Sequence, residues 1–206
     1  MDLVGERWAL LVVRELLLGP KRFTDLRAGL PNASPNVLAQ RLRGLEAAGV
    51  VRRRKLPPPA ASRIYELTEW GQDLEPVIIS LGRWGVRSPT KPTDAELGID
   101  SLVLSFRTMF DPEQAEGLEA GFEIRLNEDS FRAEVAGGRL EIERGLAGDA
   151  EVTIETDAGT LAALVYGDLG LDDALRSGEI GIEGDRELVE RFIALFPLPE
   201  PAAVGA

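Results

Sequence analysis

A chain of 206 residues, 44% hydrophobic and 28% charged, has room for one large domain or two small ones and the composition of an ordinary globular protein. It holds no cysteine and no histidine, which excludes disulfides, thiolate chemistry, a Ser-His-Asp triad and the usual zinc sites. A carboxylate-only metal site or acid–base pair is left open, with Glu141 and Glu143 or Asp172 and Asp173 as the pairs, but acidic residues of this kind mostly form the solvated face of strands and turns. No catalytic residue, cofactor or metal is expected, and the reading is non-enzymatic. The net charge of −12 is unevenly spread: up to Thr90 there are 14 Lys+Arg against 9 Asp+Glu, a balance of +5, and from Lys91 onward 9 against 26, a balance of −17. Such a split predicts two domains with different partners, the first being the one suited to phosphate.

No apolar run approaches the roughly 18 residues of a membrane span. The longest, Leu10 to Leu18, is interrupted by Arg14 and Glu15. With no basic-then-apolar leader either, the expectation is a cytoplasmic protein without a membrane partner.

The first half reads as helices followed by a hairpin. Leu3 to Leu18 has helical period and stops at Gly19-Pro20. Phe23 to Leu30 is a short second helix, and a third begins after a short connection, which is helix-turn-helix spacing. This third segment, Ser34 to Val50, opens with Ser34 as N-cap and Pro35 at the first helical position, where no N–H is needed. Leu38, Leu42 and Leu45 form its apolar stripe, and Asn36, Gln40 and Arg43 lie opposite. Gly49 is placed to close it in the left-handed conformation. Amide and guanidinium groups on the exposed face are those able to bond adenine and guanine edges in a major groove. An ordinary solvated helix face would look alike, so the context decides.

Val50 to Leu56 and Arg63 to Leu67 are strand-like, joined by Pro57 to Ser62 as an exposed tip. The basic residues Arg52, Arg53, Arg54, Lys55 and Arg63 alternate around this hairpin, so only some of them face one side. Thr68 caps a further helix to about Trp84, within which Pro76 marks a kink or a start. Its apolar residues suit either subunit packing or burial. Ser88 to Thr93, polar and proline-bearing, reads as a linker. The expected division is 1–88, a linker at 89–98, and 99–199.

Met1 to Trp8, Arg14 to Gly19, Arg22 to Leu26, Ser34 to Leu42, Leu45 to Val51 and Tyr65 to Gly71 together resemble the HxlR-type transcriptional regulators, winged-helix proteins related to the MarR group. The resemblance covers about residues 1–86. It implies a homodimer that offers two recognition helices to a palindromic double-stranded DNA operator, with wings on the backbone. Family members usually carry a further segment, often with a cysteine, ahead of the part matching Leu3. Here the sequence starts almost at the motif, so either the true start lies further upstream or the protein lacks that segment. Dimerisation through the first domain is the expectation this leaves open, and the lack of cysteine predicts no thiol sensing. The DNA-binding residues implied are Ser34, Asn36, Gln40, Arg41, Arg43, Arg53, Arg54, Lys55 and Arg63.

The second half is mixed. Ile99 to Phe110 is helical and apolar, and Asp111-Pro112-Glu113 opens another helical turn. Alternating residues follow, around Phe122 to Leu126, Phe131 to Val135, Leu140 to Ile142 and Val152 to Ile154, with turns at Asn127 to Asp129 and Gly137-Gly138. They predict an antiparallel meander with one polar face. Asp157 caps a helix to Tyr166, another spans Leu171 to Ser177, Ile180 to Ile182 is a late strand, and Arg186 to Phe196 is the last helix. The fold class is α+β, a sheet covered by helices. Asp149 to Ile154, Leu161 to Gly167, Ala174 to Ser177 with Gly178, Ile180 to Asp185 and Phe192 to Pro197 resemble the sterol carrier protein type two (SCP-like) domain. That resemblance implies a cavity for a lipid, acyl or sterol-like ligand. Phe106, Phe110, Leu161, Leu164, Val165, Leu175, Phe192 and Phe196 suit either its lining or a filled core, and for any one of them plain core is the favoured reading.

Joined, the halves predict a DNA-binding regulator whose second domain binds a hydrophobic small molecule and modulates operator binding. The main alternative is a lipid or acyl carrier whose winged helix serves protein contacts only; an enzymatic second domain and a purely structural one that only dimerises are the further options.

Overall fold

The structure, a computed structural model, describes residues 4–58, 62–89 and 98–203. It divides into two compact units, Met1–Leu81 and Gly82–Ala206. The division falls inside a helix, ahead of the linker expected near Ser88, and most of that linker lies outside the described residues.

In the first unit, helix α1 spans Ala9–Leu16, strand β1 Lys21–Arg22, α2 Phe23–Gly29, α3 Pro35–Ala47, β2 Val51–Lys55, β3 Arg63–Leu67 and α4 Glu69–Gln72, and α5, Glu75–Val86, begins there and crosses the boundary. Helix α1 starts later than its apolar period predicts. Trp8 sits at its N-cap with φ 76°, a left-handed conformation uncommon outside glycine, and breaks the helical path there. Thr68 caps only the single turn of α4, accepting from Gly71 N at 3.0 Å, and Pro76 lies in the first turn of α5, where it marks a start.

The three strands are antiparallel in the order β1-β3-β2. Val12, Val13 and Leu16 of α1, Leu26 of α2, Leu38, Leu42 and Leu45 of α3, and Val51 and Leu67 of the hairpin form one buried cluster. The Leu38–Leu42–Leu45 stripe thus fixes which face of α3 looks outward. Gly49 has φ 77°, as the left-handed close of α3 requires. Thr68 ties the wing base to this point: its N–H donates to the Val50 carbonyl at 3.0 Å and its hydroxyl to that of Gly49 at 2.7 Å.

The second unit contains α6 Ile99–Met109, β4 Ala120–Leu126, β5 Asp129–Ala136, β6 Arg139–Arg144, β7 Val152–Thr156, α7 Ala158–Tyr166, α8 Leu171–Ser177, β8 Ile180–Gly184 and α9 Arg186–Ala194. Residues 112–117 form turns rather than a further helix. The two-residue hairpins are as expected, with Gly137 and Gly138 both at positive φ (56° and 69°) and Asn127 at 55°.

The sheet order, β6-β5-β4-β7-β8, corrects the expected meander. It runs only to β6, and β7 then crosses back to pair in parallel with the far edge of β4. Glu151 N, donating to the Gly121 carbonyl at 2.9 Å, leads β7 into that register. The sheet is mainly antiparallel and the class α+β. Its apolar face (Phe122, Ile124, Phe131, Ala133, Ile154) is fully buried. Among the described residues no helix is long and apolar enough to cross a membrane.

Candidate nucleic-acid interface

The outward face of α3 carries Asn36, Gln40 and Arg43, all exposed. Ser34 holds the helix start, its hydroxyl accepting from Val37 N at 3.4 Å. Among the described residues Asn36, Gln40 and Arg43 make no side-chain hydrogen bond or ion pair, so their donors and acceptors stay available for an outside partner.

Arg41 is placed differently. Its side chain is only 14% exposed and forms an ion pair with Glu6. It therefore ties α3 to the turn before α1, away from the Asn36–Gln40–Arg43 face.

The hairpin sorts its cations by the alternation of strands. The pairs Arg53↔Tyr65 and Lys55↔Arg63 place Arg53, Lys55 and Arg63 on one face, whereas Arg52↔Glu66 and Arg54↔Ile64 place Arg52 and Arg54 on the other. Arg53 lies on the face that meets α3, with Nε 3.7 Å from Glu46 of that helix. Lys55 and Arg63 stand directly opposite each other and have no ion-pair partner among the described residues. Like charges so placed destabilise a hairpin, and a bound phosphate would relieve that repulsion.

Arg52 and Arg54 both bind Glu66, at 2.7 Å (Nε to Oε1) and 3.1 Å (Nη2 to Oε2). Burial pushes the Glu66 carboxyl up, but the hydrogen bonds and charges of Arg54 and Arg52 outweigh it and hold it below the usual range. The site residues expected from sequence thus fall into three groups: an open α3 face continuing to Arg53, Lys55 and Arg63; Arg54 on the opposite hairpin face; and Arg41 inside. Glu66, Glu46 and Glu6, which set this partition, were not legible as site residues. Counting back from Lys55↔Arg63 would have placed Glu66 opposite Arg52.

In the second unit the aromatic residues pack on one another. Phe106 stacks on Phe196 at 4.6 Å between centroids and meets Phe192 edge-on at 5.8 Å, and Phe192 lies 4.8 Å from Phe122. Phe106, Phe192, Phe196, Leu161 and Leu164 are buried, whereas Phe110, Val165 and Leu175 are half-buried. At the rim of this cluster Tyr166 shares a 2.7 Å hydrogen bond with Ser105, whose hydroxyl donates to the Leu102 carbonyl at 2.6 Å. The Tyr166 hydroxyl is therefore the donor to Ser105. Its pKa is pushed up to about 12, chiefly by burial.

These two units have separate relatives. The family model for HxlR-like helix-turn-helix proteins matches residues 3–91, and that for the alkyl sulfatase C-terminal domain matches residues 93–202. The chain is 39% identical over 84 residues to the uncharacterized HTH-type transcriptional regulator YvaP of Bacillus subtilis, covering 41% of this chain and 78% of that protein. The reduced form of the transcriptional regulator YodB from B. subtilis is 37% identical, over 45% of this chain and 89% of that one, with a TM-score of 0.39. The inverting sec-alkylsulfatase Pisa1 from Pseudomonas sp. is 20% identical over 55% of this chain, with a TM-score of 0.46, and the match spans 19% of that enzyme's length.

The protein belongs to the HxlR-like helix-turn-helix family of DNA-binding transcriptional regulators, joined to a domain of the alkyl sulfatase C-terminal family. That second assignment stands where the sequence motifs suggested a sterol-carrier domain.

Proposed function

We propose that the protein reads a palindromic operator as a homodimer and that an apolar-chain ligand in its second unit modulates the reading. Asn36, Gln40 and Arg43 contact base edges, Ser34 lies beside the adjoining phosphate, and Arg53, Lys55 and Arg63 take the backbone. The observation that carries the DNA geometry is the Lys55–Arg63 pair, two cations opposed on one hairpin face without a counter-ion among the described residues. Exposed Val77, Leu81 and Trp84 of α5 supply apolar area for the dimer contact.

The effector reading rests on two supports. The second unit belongs to a family named for alkyl sulfatases, which favours a linear alkyl or acyl chain over a sterol. Its helices also hold an apolar cluster with a polar Ser105–Tyr166 pair beside Phe106, an arrangement suited to an amphiphile. Phe106, Phe192 and Phe196 already fill the centre, which leaves half-buried Phe110, Val165 and Leu175 of the expected lining to meet such a chain. The ligand must favour one arrangement of the two recognition helices, a coupling of about 1–3 kcal/mol.

A labelled duplex from the gene's own upstream region, titrated at about 50 and 200 mM salt with and without saturated fatty acids and alkyl sulfates, tests both parts. Arg43→Ala should weaken binding by about 1–3 kcal/mol on the specific duplex only. Equal loss on a scrambled duplex would remove α3 as the base reader. An affinity that no alkyl chain alters would remove the effector reading and leave the DNA reading intact.

A further inference from the structure

The Arg52–Glu66–Arg54 cluster lies on the hairpin face turned away from the cations assigned above to phosphate. Its geometry is asymmetric. The Glu66 side chain is 11% exposed, whereas those of Arg52 and Arg54 are 67% and 52% exposed. The carboxylate is sunk beneath two guanidiniums, and each of its oxygens accepts from one of them. Arg52 stands directly opposite Glu66 in the ladder and Arg54 diagonally, so the β2–β3 register imposes both bonds.

Two free arginines on a wing would each displace a counterion from any duplex, whatever its sequence. Held on one buried carboxylate, the pair presents a single net positive charge, and each guanidinium has spent one donor in a fixed orientation. Such a wing loses sequence-independent affinity while keeping the contacts that continue from α3. A regulator gains from this, because competing nonspecific sites set its useful occupancy.

We propose that Glu66 is a specificity-determining residue of the wing: by holding Arg52 and Arg54 on its two carboxylate oxygens it withholds them from phosphate, leaving backbone binding to Arg53, Lys55 and Arg63. This rests on the wing reading given above. A solvated carboxylate merely neutralising the nearest cation would not be buried below both of them, nor would it engage each oxygen separately.

The test compares wild type, Glu66→Gln, Arg52→Gln/Arg54→Gln and the triple variant on a scrambled duplex and on the upstream duplex, across about 50 to 200 mM salt. Glu66→Gln keeps the side-chain volume and removes the charge. It should steepen the slope of log K against log salt on the scrambled duplex by about one to two, since each phosphate neutralised contributes about 0.9. It should also raise scrambled-duplex affinity at least about fivefold at the lower salt, so that the ratio of specific to nonspecific affinity falls. In the Arg52→Gln/Arg54→Gln background the same change should leave the slope unmoved, because the effect passes through the two arginines. An unchanged or shallower slope in Glu66→Gln overturns the proposal while leaving the wing reading intact. So does an equal steepening without the arginines, which would mark a bare charge effect. Should Glu66→Gln fail to fold, Arg52→Gln/Arg54→Gln decides alone: a slope loss below about one supports withheld arginines, and a loss near two overturns them. A wild-type protein whose duplex binding ignores salt refutes this proposal and the wing reading together.

Discussion

Gly71→Ala should disconnect the wing from the recognition helix. A Cβ built at Gly71 would lie 2.1 Å from the Val50 carbonyl oxygen, 3.1 Å from the carbon of that carbonyl and 3.3 Å from Leu67 Cδ2. The nearest atom is backbone, so no rotamer change relieves the clash, and α4 must move about 1 Å from the Val50 strand end. Forced overpacking of this kind costs about 1–3 kcal/mol. The shift also stretches the Thr68 bonds to Gly49 and Val50 (2.7 and 3.0 Å), each worth about 1 kcal/mol. The expected loss is about 3–5 kcal/mol in the first unit, read by urea denaturation at constant m. Thr68→Val, which removes the hydroxyl bonds and leaves Gly71 in place, should cost only about 1–2 kcal/mol. A Gly71→Ala loss below about 1 kcal/mol, or one no larger than that of Thr68→Val, would refute the view that close approach of α4 to Val50 holds the wing base.

Other expectations follow from the same geometry. Arg41→Ala should lower the denaturation midpoint of the first unit, because it removes the Glu6 tie and unpacks a side chain that is 14% exposed. Measured on folded protein at low temperature, it should leave the ratio of specific to scrambled-duplex affinity unchanged, unlike Arg43→Ala. Phe106→Ala opens a void against Phe192 and Phe196 and should cost the second unit about 3–5 kcal/mol in the same denaturation assay. Asp157→Ala removes the cap of α7 and should cost about 1 kcal/mol. Hydrogen bonds from the Thr160 side chain and backbone, with one from Gly159, outweigh burial and hold the Asp157 carboxyl below its usual range. Its contribution is therefore present above the ordinary aspartate pKa of about 4 and lost as pH falls through the lowered value. Wild type and Asp157→Ala should accordingly converge in stability under strongly acid conditions, and a gap that widens there would refute the assignment.

Much of the first unit was legible because its signals are local. Ser34-Pro35 fixes a helix start by capping and by the missing N–H, Gly49 fixes the end, and the Leu38–Leu42–Leu45 period fixes the inward face. These three choices suffice to turn Asn36, Gln40 and Arg43 outward together. The loss of the first residues of α1 was not legible, since nothing in an apolar period announces that Trp8 adopts φ 76°. In the second unit the alternation of Phe122 to Leu126 and Phe131 to Val135 located strands and their apolar face. It carries no information on which strand lies beside which, and the parallel β4–β7 pair depends on where the chain from Gly145 to Glu151 returns.

Charge was the least legible property, because its effect depends on partners distant in sequence. Arg52, Arg53 and Arg54 are three consecutive cations of one strand, yet the ladder sends the middle one toward α3 and the outer two onto a carboxylate fourteen and twelve residues away. Arg41 and Arg43 are two apart on one helix, about 200° of rotation, so one turns in to Glu6 while the other faces out. The same counting applies to the acidic half. Arg132 lies opposite Glu123 and Glu143 in the sheet, and Arg125 is bound by Glu123 at 2.7 Å. Part of the surplus there is thus compensated within the sheet. The basic run that marks a DNA-binding protein is accordingly the start of the inference. Ion pairs within the fold already hold Arg41, Arg52 and Arg54, whereas among the described residues Arg43, Lys55 and Arg63 have no ion-pair partner.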